Sequence, residues 1–492
     1  MPAANPYANV IEHQLLYPKV KPLGVIKRCI SEFIFFKMLK AHDFTSVHIP
    51  LLIRKLAIPA SVGFIFNTLF NVVDTYYGGR ISTAALAAMG LTFPVFFIIL
   101  AMGMGMGTGT TALISQSLGA GRNEEADKIG YQAVTLSLIN SFFLTIFGLI
   151  FAPFLFRMLG ATDTYLDISV QYMNTILYGT VFFLINSILN SLLNARGDTK
   201  TYRNYLVAGF ILNLLLDPWF IYGGFGFPAL GIRGIGYSTV LIQLIGTIYM
   251  VVITRKLNVF QHAHFKDFVP TRKYFLALFG QGFPASLNML TVAIGIFVIT
   301  YFASHFGKEA VAAYGIATRI EQIALLPTIG LNIAALTLAA QNMGANRPER
   351  VYESWKLNIR YGLIIIIFGS VSVLLFSRQL MQAFTDDIHV IEIGIEYLRI
   401  AALFFFAYIF LNMSVSTLQG MKRPMYAIYV GVYRQILMPL PIFLLLAITL
   451  GWGTKGIWWG IFIVNWSAAI FTFFYTRKQI QKVLHHAKVT AE

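Results

Sequence analysis

Long apolar segments alternate with short polar segments along most of the chain. Each apolar segment has about 20 residues or more, the length that crosses a bilayer as an α-helix. The apolar residues are continuous and do not alternate with polar ones, which argues against a transmembrane β-barrel. The pattern predicts an all-α integral membrane protein with about twelve transmembrane helices. The predicted spans lie near residues 51–78, 84–114, 129–156, 166–195, 204–223, 233–254, 274–304, 310–340, 356–377, 389–419, 426–450 and 457–476.

The second half of the chain repeats the first. Residues 58–61 (Ile-Pro-Ala-Ser) recur at 283–286 (Phe-Pro-Ala-Ser), and residues 116–122 (Gln-Ser-Leu-Gly-Ala-Gly-Arg) recur at 341–347 (Gln-Asn-Met-Gly-Ala-Asn-Arg). Because each half has an even number of spans, both halves enter the membrane from the same side. The sequence therefore predicts two parallel six-helix repeats, an organisation typical of transporters that move one half against the other.

Composition and charge agree with a membrane protein and give its orientation. Apolar residues make up 57% of the chain and charged residues 12%, about half the charged share of a soluble domain. Twenty-eight of the 37 Lys and Arg lie on the side that holds both termini, so both termini are predicted to be cytoplasmic. Attraction to anionic lipid explains the net charge of +16, and no nucleic-acid partner is expected. A single cysteine, Cys29, excludes an internal disulfide framework.

The polar segments divide the chain into five parts. Residues 24–40 mix basic and apolar positions, which favours an amphipathic helix on the inner leaflet. His262 and His264 lie two residues apart in a basic segment, but nothing near them supplies further metal ligands, so we interpret this segment as a surface linker. The five predicted parts are a cytoplasmic N-terminal segment (1–50), an N-terminal six-helix lobe (51–254), a cytoplasmic linker (255–273), a C-terminal six-helix lobe (274–476) and a cytoplasmic tail (477–492).

Acidic residues inside the predicted spans are the strongest functional signal. A carboxylate in a bilayer is costly, so each one is a candidate for an ion path or a proton relay. The positions of Asp74 and Asp217 place both in the outer part of the N-terminal repeat, and Asn213 lies one helical turn from Asp217. The residues predicted to converge there are Asp74, Tyr172, Asn213, Asp217 and Thr239.

This predicted cluster offers two carboxylates, an amide, a hydroxyl and a phenol. Oxygen ligands suit a hard cation, and two adjacent carboxylates can equally carry a shared proton. We therefore predict a site that couples to H⁺ or Na⁺ without any other cofactor, with transient Na⁺ binding at Asp74, Asn213 and Asp217. The alternative is that the two Asp residues only hold helices together, a role that neutral residues such as Asn71 could fill at lower desolvation cost.

A second set of charged residues lies in the C-terminal repeat. Arg319 and Glu321 are two residues apart on one predicted helix, so they face different directions and each needs a partner on another helix. Arg319 could reach Glu392 or Glu396, and Arg434 could neutralise Glu321. An ion-pair network that holds the lobe together and a second coupling site are both open interpretations.

From about residue 50 to 476 the chain resembles the multidrug and toxic compound extrusion (MATE) family of cation-coupled efflux transporters, and most closely its DinF-like branch. The resemblance implies two lobes around a central cleft that opens alternately to each side. The segments that carry it are 116–122, 341–345, 71–74 (Asn-Val-Val-Asp), 214–218 (Leu-Leu-Leu-Asp-Pro) and 319–321 (Arg-Ile-Glu).

The resemblance also implies roles for individual residues. Asp74 and Asp217 would be the coupling carboxylates, with Tyr172, Asn213 and Thr239 beside them. Pro59 would be the point at which the first helix bends in response to the ion. The other branch has an acidic residue in the seventh span, and here that span, 274–304, contains none, so a Na⁺ site of that type is not expected.

These observations predict a secondary transporter rather than an enzyme. It would export amphipathic, often cationic, drugs in exchange for H⁺ or Na⁺, contact membrane lipids, and function as a monomer in the cell (inner or plasma) membrane. An intramembrane enzyme is disfavoured because the nine His residues all lie in loops, tails or span ends. A lipid-linked oligosaccharide flippase of the same superfamily is the alternative, although the spans hold few of the Arg and Lys residues that such a protein would need.

Overall fold

The structure is a computed structural model that describes residues 44–224, 226–257, 259 and 263–489. The described residues form helices and connecting turns, without a β-sheet. The first half contains α1 (Ile49–Ile81), α2 (Thr83–Gly119), α3 (Asn123–Met158), α4 (Asp163–Tyr178), α5 (Thr180–Ala195), α6 (Lys200–Tyr222) and α7 (Ile232–Lys256). The second half contains α8 (Arg272–Ser304), α9 (Lys308–Gly344), α10 (Pro348–Gln382), α11 (Ile388–Gly420), α12 (Met425–Thr449) and α13 (Thr454–Val489). The predicted helix at 24–40, Cys29 and His262 lie outside the described residues.

The predicted twelve spans are confirmed, with one break. In the described part of the chain eleven helices are long and apolar enough to cross a membrane, and α4 with α5 forms a further span that bends by 45°. The bend lies at Gly179, where a Cβ would overlap Val240 of α7. The Thr145 hydroxyl donates a hydrogen bond to the Leu177 carbonyl oxygen at 2.9 Å, which satisfies a carbonyl at the break. Hydropathy alone does not reveal this bend.

The span α12 also differs from the regular helix predicted for 426–450. It contains two π-helical turns, Tyr433–Leu437 and Leu444–Thr449. Pro439 and Pro441 lie between them, and neither has an N–H group for the regular helical ladder. Arg434 lies in the first π turn. Such turns widen a helix locally and often occur at functional sites.

The segment predicted as a cytoplasmic tail from residue 477 continues α13 up to Val489. Ile480 is fully buried in the core of the second half, and Val483 and Leu484 pack against that core. These apolar contacts stabilise the helix beyond its membrane-spanning part. The described part of the predicted tail is therefore helical and packed against the second half, and its cytoplasmic location stays a prediction.

The described part of the linker between the halves is held against α3. The Gln132 side-chain amide donates hydrogen bonds to the carbonyl oxygens of Asp267 at 2.6 Å and Val269 at 2.8 Å. The Gln132 side-chain oxygen accepts a hydrogen bond from the Thr271 backbone N–H at 2.8 Å. In this part of the linker a short 3₁₀ turn, Phe265–Phe268, precedes α8.

The two halves form two lobes, the N lobe (α1–α7) and the C lobe (α8–α13). We call the face at which α1 begins and α13 ends the terminal face, and the opposite one the distal face. Close contacts between the lobes lie in the terminal half of the molecule, where the Ser61 hydroxyl of α1 donates to the Pro327 carbonyl oxygen of α9 at 2.8 Å. Nearby, Gly105 of α2 lies against Ser286 of α8. The lobes are therefore joined toward the terminal face.

Two glutamines from the repeated motif cross between the lobes close to the terminal face. The side-chain amide of Gln116 donates a hydrogen bond to the Gly420 carbonyl oxygen at 3.0 Å, and that of Gln341 donates to the Ala195 carbonyl oxygen at 2.6 Å. Both glutamines are buried. The repeated sequence thus produces a pair of reciprocal hydrogen bonds, each from one lobe to the end of a helix in the other.

Two glycines allow the backbones of the two lobes to come close together at these hydrogen bonds. A Cβ on Gly119 would overlap the Gln341 carbonyl oxygen, and a Cβ on Gly344 would overlap the Gln116 carbonyl oxygen. Only glycine leaves room for backbone at this distance. We call Gln116, Gly119, Gln341 and Gly344 the closure contact.

Candidate cation-coupling site

Two carboxyl groups lie together inside the N lobe. Asp74 on α1 and Asp217 on α6 are both buried, and their carboxyl groups face each other at hydrogen-bonding range. The Asn213 side-chain amide donates to Oδ1 of Asp74 at 2.8 Å, and the Thr239 hydroxyl donates to Oδ2 of Asp74 at 3.4 Å. The Ser238 hydroxyl donates to Oδ1 of Asp217. The structure thus brings four of the five predicted residues into direct contact.

The packing of α6 against α7 creates this arrangement. Gly209, Asn213 and Asp217 are four residues apart and form one buried stripe along α6. Gly209 lies against Ile242 of α7, which allows the two helices to approach closely. Ser238, one turn before Ile242, therefore reaches Asp217.

Two acceptor oxygens in the site have no hydrogen-bond donor among the described residues. They are Oδ2 of Asp217 and Oδ1 of Asn213, both buried. A buried acceptor without a donor is costly, and two adjacent buried carboxylates repel each other. A proton shared by the pair or a cation bound between these oxygens relieves both costs. The oxygen ligands suit Na⁺ as well as H⁺, and the described residues contain no cluster of three or more His, Cys, Asp or Glu side chains for a transition metal.

Tyr172 borders the site without a hydrogen bond to either carboxyl group in the described structure. It lies close enough for its hydroxyl to interact electrostatically with Asp74 and Asp217. Its ring packs with Ala85 of α2 and Ile232 of α7. Tyr172 therefore forms a wall of the site on the side of α4.

Ser238 is the one residue in direct contact that the sequence analysis missed. Adjacent residues on a helix point about 100° apart, and depth along the span did not decide which of Ser238 and Thr239 faces the carboxylates. Both do, because Asp217 and Asp74 approach α7 from different sides. A polar pair on an apolar helix opposite two acids is the signal that identifies both positions.

We expect Ser238→Ala to destabilise the N lobe modestly. The change removes the donor to a buried carboxylate, and interhelical hydrogen bonds in membrane proteins contribute about 0.6 to 1.7 kcal/mol. Thermal unfolding of the purified protein would show a lower midpoint than wild type. Ser141→Ala is the matched control, since its hydroxyl bonds only to Leu138 of its own helix. Equal midpoints for the two variants would contradict a structural contribution of Ser238.

Pro59, the predicted bend point, lies inside α1, which is continuous through it. Proline leaves the carbonyl of the residue four positions earlier without its helical partner. Here that carbonyl belongs to Lys55, and the Thr199 hydroxyl donates to it at 3.3 Å. A bend of α1 at Pro59 in response to an ion stays a prediction.

Glu321 lies in a separate polar network inside the C lobe. It is buried, and its Oε2 accepts a hydrogen bond from the Tyr397 hydroxyl at 2.5 Å. Tyr408 lies close to Glu321, and the Arg434 guanidinium lies over the Tyr408 ring at 5.5 Å and donates to Asn465 at 3.3 Å. Tyrosine hydroxyls and a nearby arginine thus surround Glu321.

Arg319 is not part of this network. It is exposed, and none of the described residues forms an ion pair with it. The predicted partner Glu396 instead pairs with Lys455 at 3.0 Å, and Glu392 also forms no ion pair within the described structure. The expectation that Arg319 pairs with Glu392 or Glu396 is therefore wrong, because Lys455 at the start of α13 reaches Glu396 first.

Comparison with known proteins identifies relatives over most of the chain. The family model described as MatE matches residues 59–219 and 284–444, one match in each repeat. A FAD transporter of Shewanella oneidensis is 27% identical over 404 residues, which are 82% of this chain and 89% of the relative. The probable multidrug resistance protein NorM of Thermotoga maritima is 27% identical over 380 residues, 75% of this chain and 78% of the relative.

Solved structures show the same architecture. A structure described as the outward-facing conformation of a multidrug resistance MATE family transporter of the MOP superfamily superposes with a TM-score of 0.84. It is 27% identical in sequence, and the alignment covers 91% of this chain and 99% of that one. The two-lobe fold is therefore shared over nearly the full length.

Proposed function

The chain belongs to the MatE family of multidrug transporters, and from this premise we propose that it is an antiporter in which H⁺ or Na⁺ entering the Asp74 and Asp217 site drives export of amphipathic organic compounds. Family members are transporters, so the chain is a transporter and not an enzyme. The coupling ion and the substrates are the proposed part. The ion is the only cofactor that this function needs.

One observation carries the proposal: a buried pair of carboxyl groups inside one lobe, with two unsatisfied acceptor oxygens, Oδ2 of Asp217 and Oδ1 of Asn213, at the site. The free energy of such a buried carboxyl pair changes strongly when a proton or a cation binds to it. Coupling requires that the ion and the substrate favour different conformations of the transporter. Asp74 is on α1, which also contacts α9 of the other lobe through Ser61, so the same helix connects the site to the inter-lobe contact.

The position of the inter-lobe contacts supports alternating access. The lobes meet toward the terminal face, while large apolar side chains in the distal half of the same helices, such as Val72 of α1 and Phe297 of α8, are exposed. If the basic terminal face is cytoplasmic, as the positive-inside rule predicts, the cleft opens to the outside. We further propose that the protein is a monomer in the cell membrane with both termini in the cytoplasm.

The test is transport by the purified protein in proteoliposomes under an imposed proton gradient or an imposed Na⁺ gradient. We expect a fluorescent amphipathic dye to move against its gradient under one of the two. That result would establish an antiporter and name its ion. Dye movement under neither gradient would contradict the proposal and favour a flippase.

A second candidate substrate is a flavin dinucleotide, because the Shewanella relative is named a FAD transporter. FAD is fluorescent, so the same proteoliposomes test it directly. Faster gradient-driven movement of FAD than of the dye would make the dinucleotide the better substrate. Movement of the dye alone would exclude it.

A further inference from the structure

One side of α9 contacts the N lobe between Pro327 and Gly344, in the terminal half of the helix. On this side Gly344 contacts Gln116, and Gly330 contacts Ala57 of α1. Ile323 and Arg319 are seven and eleven residues before Gly330, so at 100° per residue they lie within about 20° of the same side. No N-lobe residue covers them, since both are exposed. Arg319 therefore points into the cleft, about 16 Å along the helix from the inter-lobe contact.

Arg319 is the one exposed charge that the four contacting helices present to the cleft. Outside the first and last seven residues of each helix, α1, α2, α8 and α9, which are described in full, carry three charged residues: Asp74, Arg319 and Glu321. Asp74 and Glu321 are buried and hydrogen-bonded within their own lobes. Arg319 has no hydrogen bond or ion pair to any described residue.

Large apolar side chains lie on the corresponding sides of the four contacting helices. The same spacing rule identifies one large, exposed apolar side chain per helix on the side of the inter-lobe contacts. These are Val72, Ile98, Phe297 and Ile323, at seven or eleven residues from Ser61, Gly105, Ser286 and Gly330. A single cation among large apolar side chains is complementary to a compound with an apolar body and one anionic group.

We propose that Arg319 binds the anionic group of the transported compound, so that the substrate class is amphipathic organic anions carrying a carboxylate, sulfonate or phosphate. This rests on the proposed function, in that the cleft is the transport path. Guanidinium groups bind such anions with two parallel hydrogen bonds. Arg319 lies about 16 Å below the start of α9 at Lys308, deep enough that an unpaired charge there is costly and a bound anion compensates it.

The same geometry changes the expectation for cationic compounds. A cation in the cleft would meet Arg319 and no exposed carboxylate from α1, α2, α8 or α9, the four contacting helices. Like charges at short range in a medium of low dielectric constant repel strongly. The often cationic drugs implied by the family resemblance are therefore expected to bind more weakly here than matched anions.

The test is equilibrium binding to the full chain purified in detergent, measured by fluorescence polarisation. The two probes are fluorescein, an anion, and a cationic ester rhodamine on the same xanthene scaffold. We expect wild type to bind fluorescein more tightly, and Arg319→Gln to weaken fluorescein binding at least about tenfold while leaving rhodamine binding equal or tighter. Arg319→Lys, which keeps the charge, should restore most of the affinity. Arg233→Gln, an exposed arginine that donates to Gln171, is the matched control.

Three results would overturn the proposal: no fluorescein binding to wild type, unchanged fluorescein binding in Arg319→Gln, or equal loss of both dyes. Phosphatidylglycerol added as a competitor separates the two sources of an anion. Competition that is lost in Arg319→Gln would support the anion site with a lipid headgroup as an occupant, and absence of competition would support it for soluble compounds. Binding requires no gradient, so failure of ion coupling would not affect this result.

Discussion

Replacing Asp217 by Asn is expected to reduce ion-driven export at least about tenfold, and replacing Asp74 by Asn should do the same. An amide does not take up or release a proton as a carboxyl group does, and it lacks the negative charge that attracts Na⁺. The ion then binds both conformations of the transporter with the same free energy, so its gradient cannot drive export. The measurement is the initial rate of dye movement in proteoliposomes under the gradient that drives the wild-type protein.

Two comparisons make this prediction specific to coupling. Asp167→Asn removes an exposed carboxylate on α4 and should leave the rate unchanged. Exchange of labelled for unlabelled dye without any gradient should persist in Asp217→Asn, because the cleft and its inter-lobe contacts are intact. Wild-type export by Asp217→Asn would show that the pair is structural, and loss of exchange as well would indicate a folding defect.

The two carboxyl groups of the site differ in a way that the same assay can resolve. Both oxygens of Asp74 accept hydrogen bonds, from Asn213 and Thr239, whereas Oδ2 of Asp217 has no donor among the described residues. The free oxygen is the better first contact for an incoming proton or cation. Asn213→Ala frees an oxygen of Asp74 and is therefore expected to weaken coupling less than either Asp replacement.

Much of this site could be predicted from sequence because its members follow simple spacing. Asn213 and Asp217 share a face of one helix, and Asp74 lies at a similar depth on another. Ser238 could not be chosen over Thr239, since rotation of α7 about its axis depends on packing against α6. The depth of a residue in the membrane can be counted along its span. Which side of a helix faces the site depends on how the helix packs against its neighbours.

The partners of long side chains were the least predictable feature. Arg319 was expected to pair with an acid on α11, but Lys455 pairs with Glu396 and Arg319 faces the other lobe. The spacing of Arg319 from Gly330 contained this information, although its meaning depended on knowing that Gly330 contacts the N lobe. Charge pairing across a fold follows tertiary geometry, which the sequence does not display.

The fold shows the same division between local and long-range information. Hydropathy predicted every span, because burial in a membrane depends on the composition of each segment by itself. The bend at Gly179 and the π turns of α12 depend on contacts with other helices and on two prolines, and both were missed. The repeated glutamine motif could be recognised in the sequence. Its reciprocal hydrogen bonds between the two lobes could be seen only in the structure.

Replacing Gly344 by Leu is expected to prevent the lobes from meeting at the terminal face and to abolish export. Its Cβ would overlap the Gln116 carbonyl oxygen, and because that atom is backbone it cannot rotate away. The lobes must separate, which also breaks the hydrogen bond from Gln116 to Gly420. A population shift from 1:99 to 99:1 needs about 5.5 kcal/mol, a cost that a backbone overlap together with a lost buried hydrogen bond can approach.

The predicted opening of the terminal face can be measured directly by thiol labelling. In a Cys29→Ser background, Ser115→Cys places a thiol at a buried position one turn from Gly119. A membrane-impermeant maleimide should label it slowly in the otherwise wild-type protein and rapidly once Gly344→Leu is added. Gly315→Leu is the control on the same helix, since a Cβ there meets nothing within 4 Å. If Gly344→Leu leaves labelling slow and export intact, the closure contact does not hold the lobes together, and the repeated motif has another role.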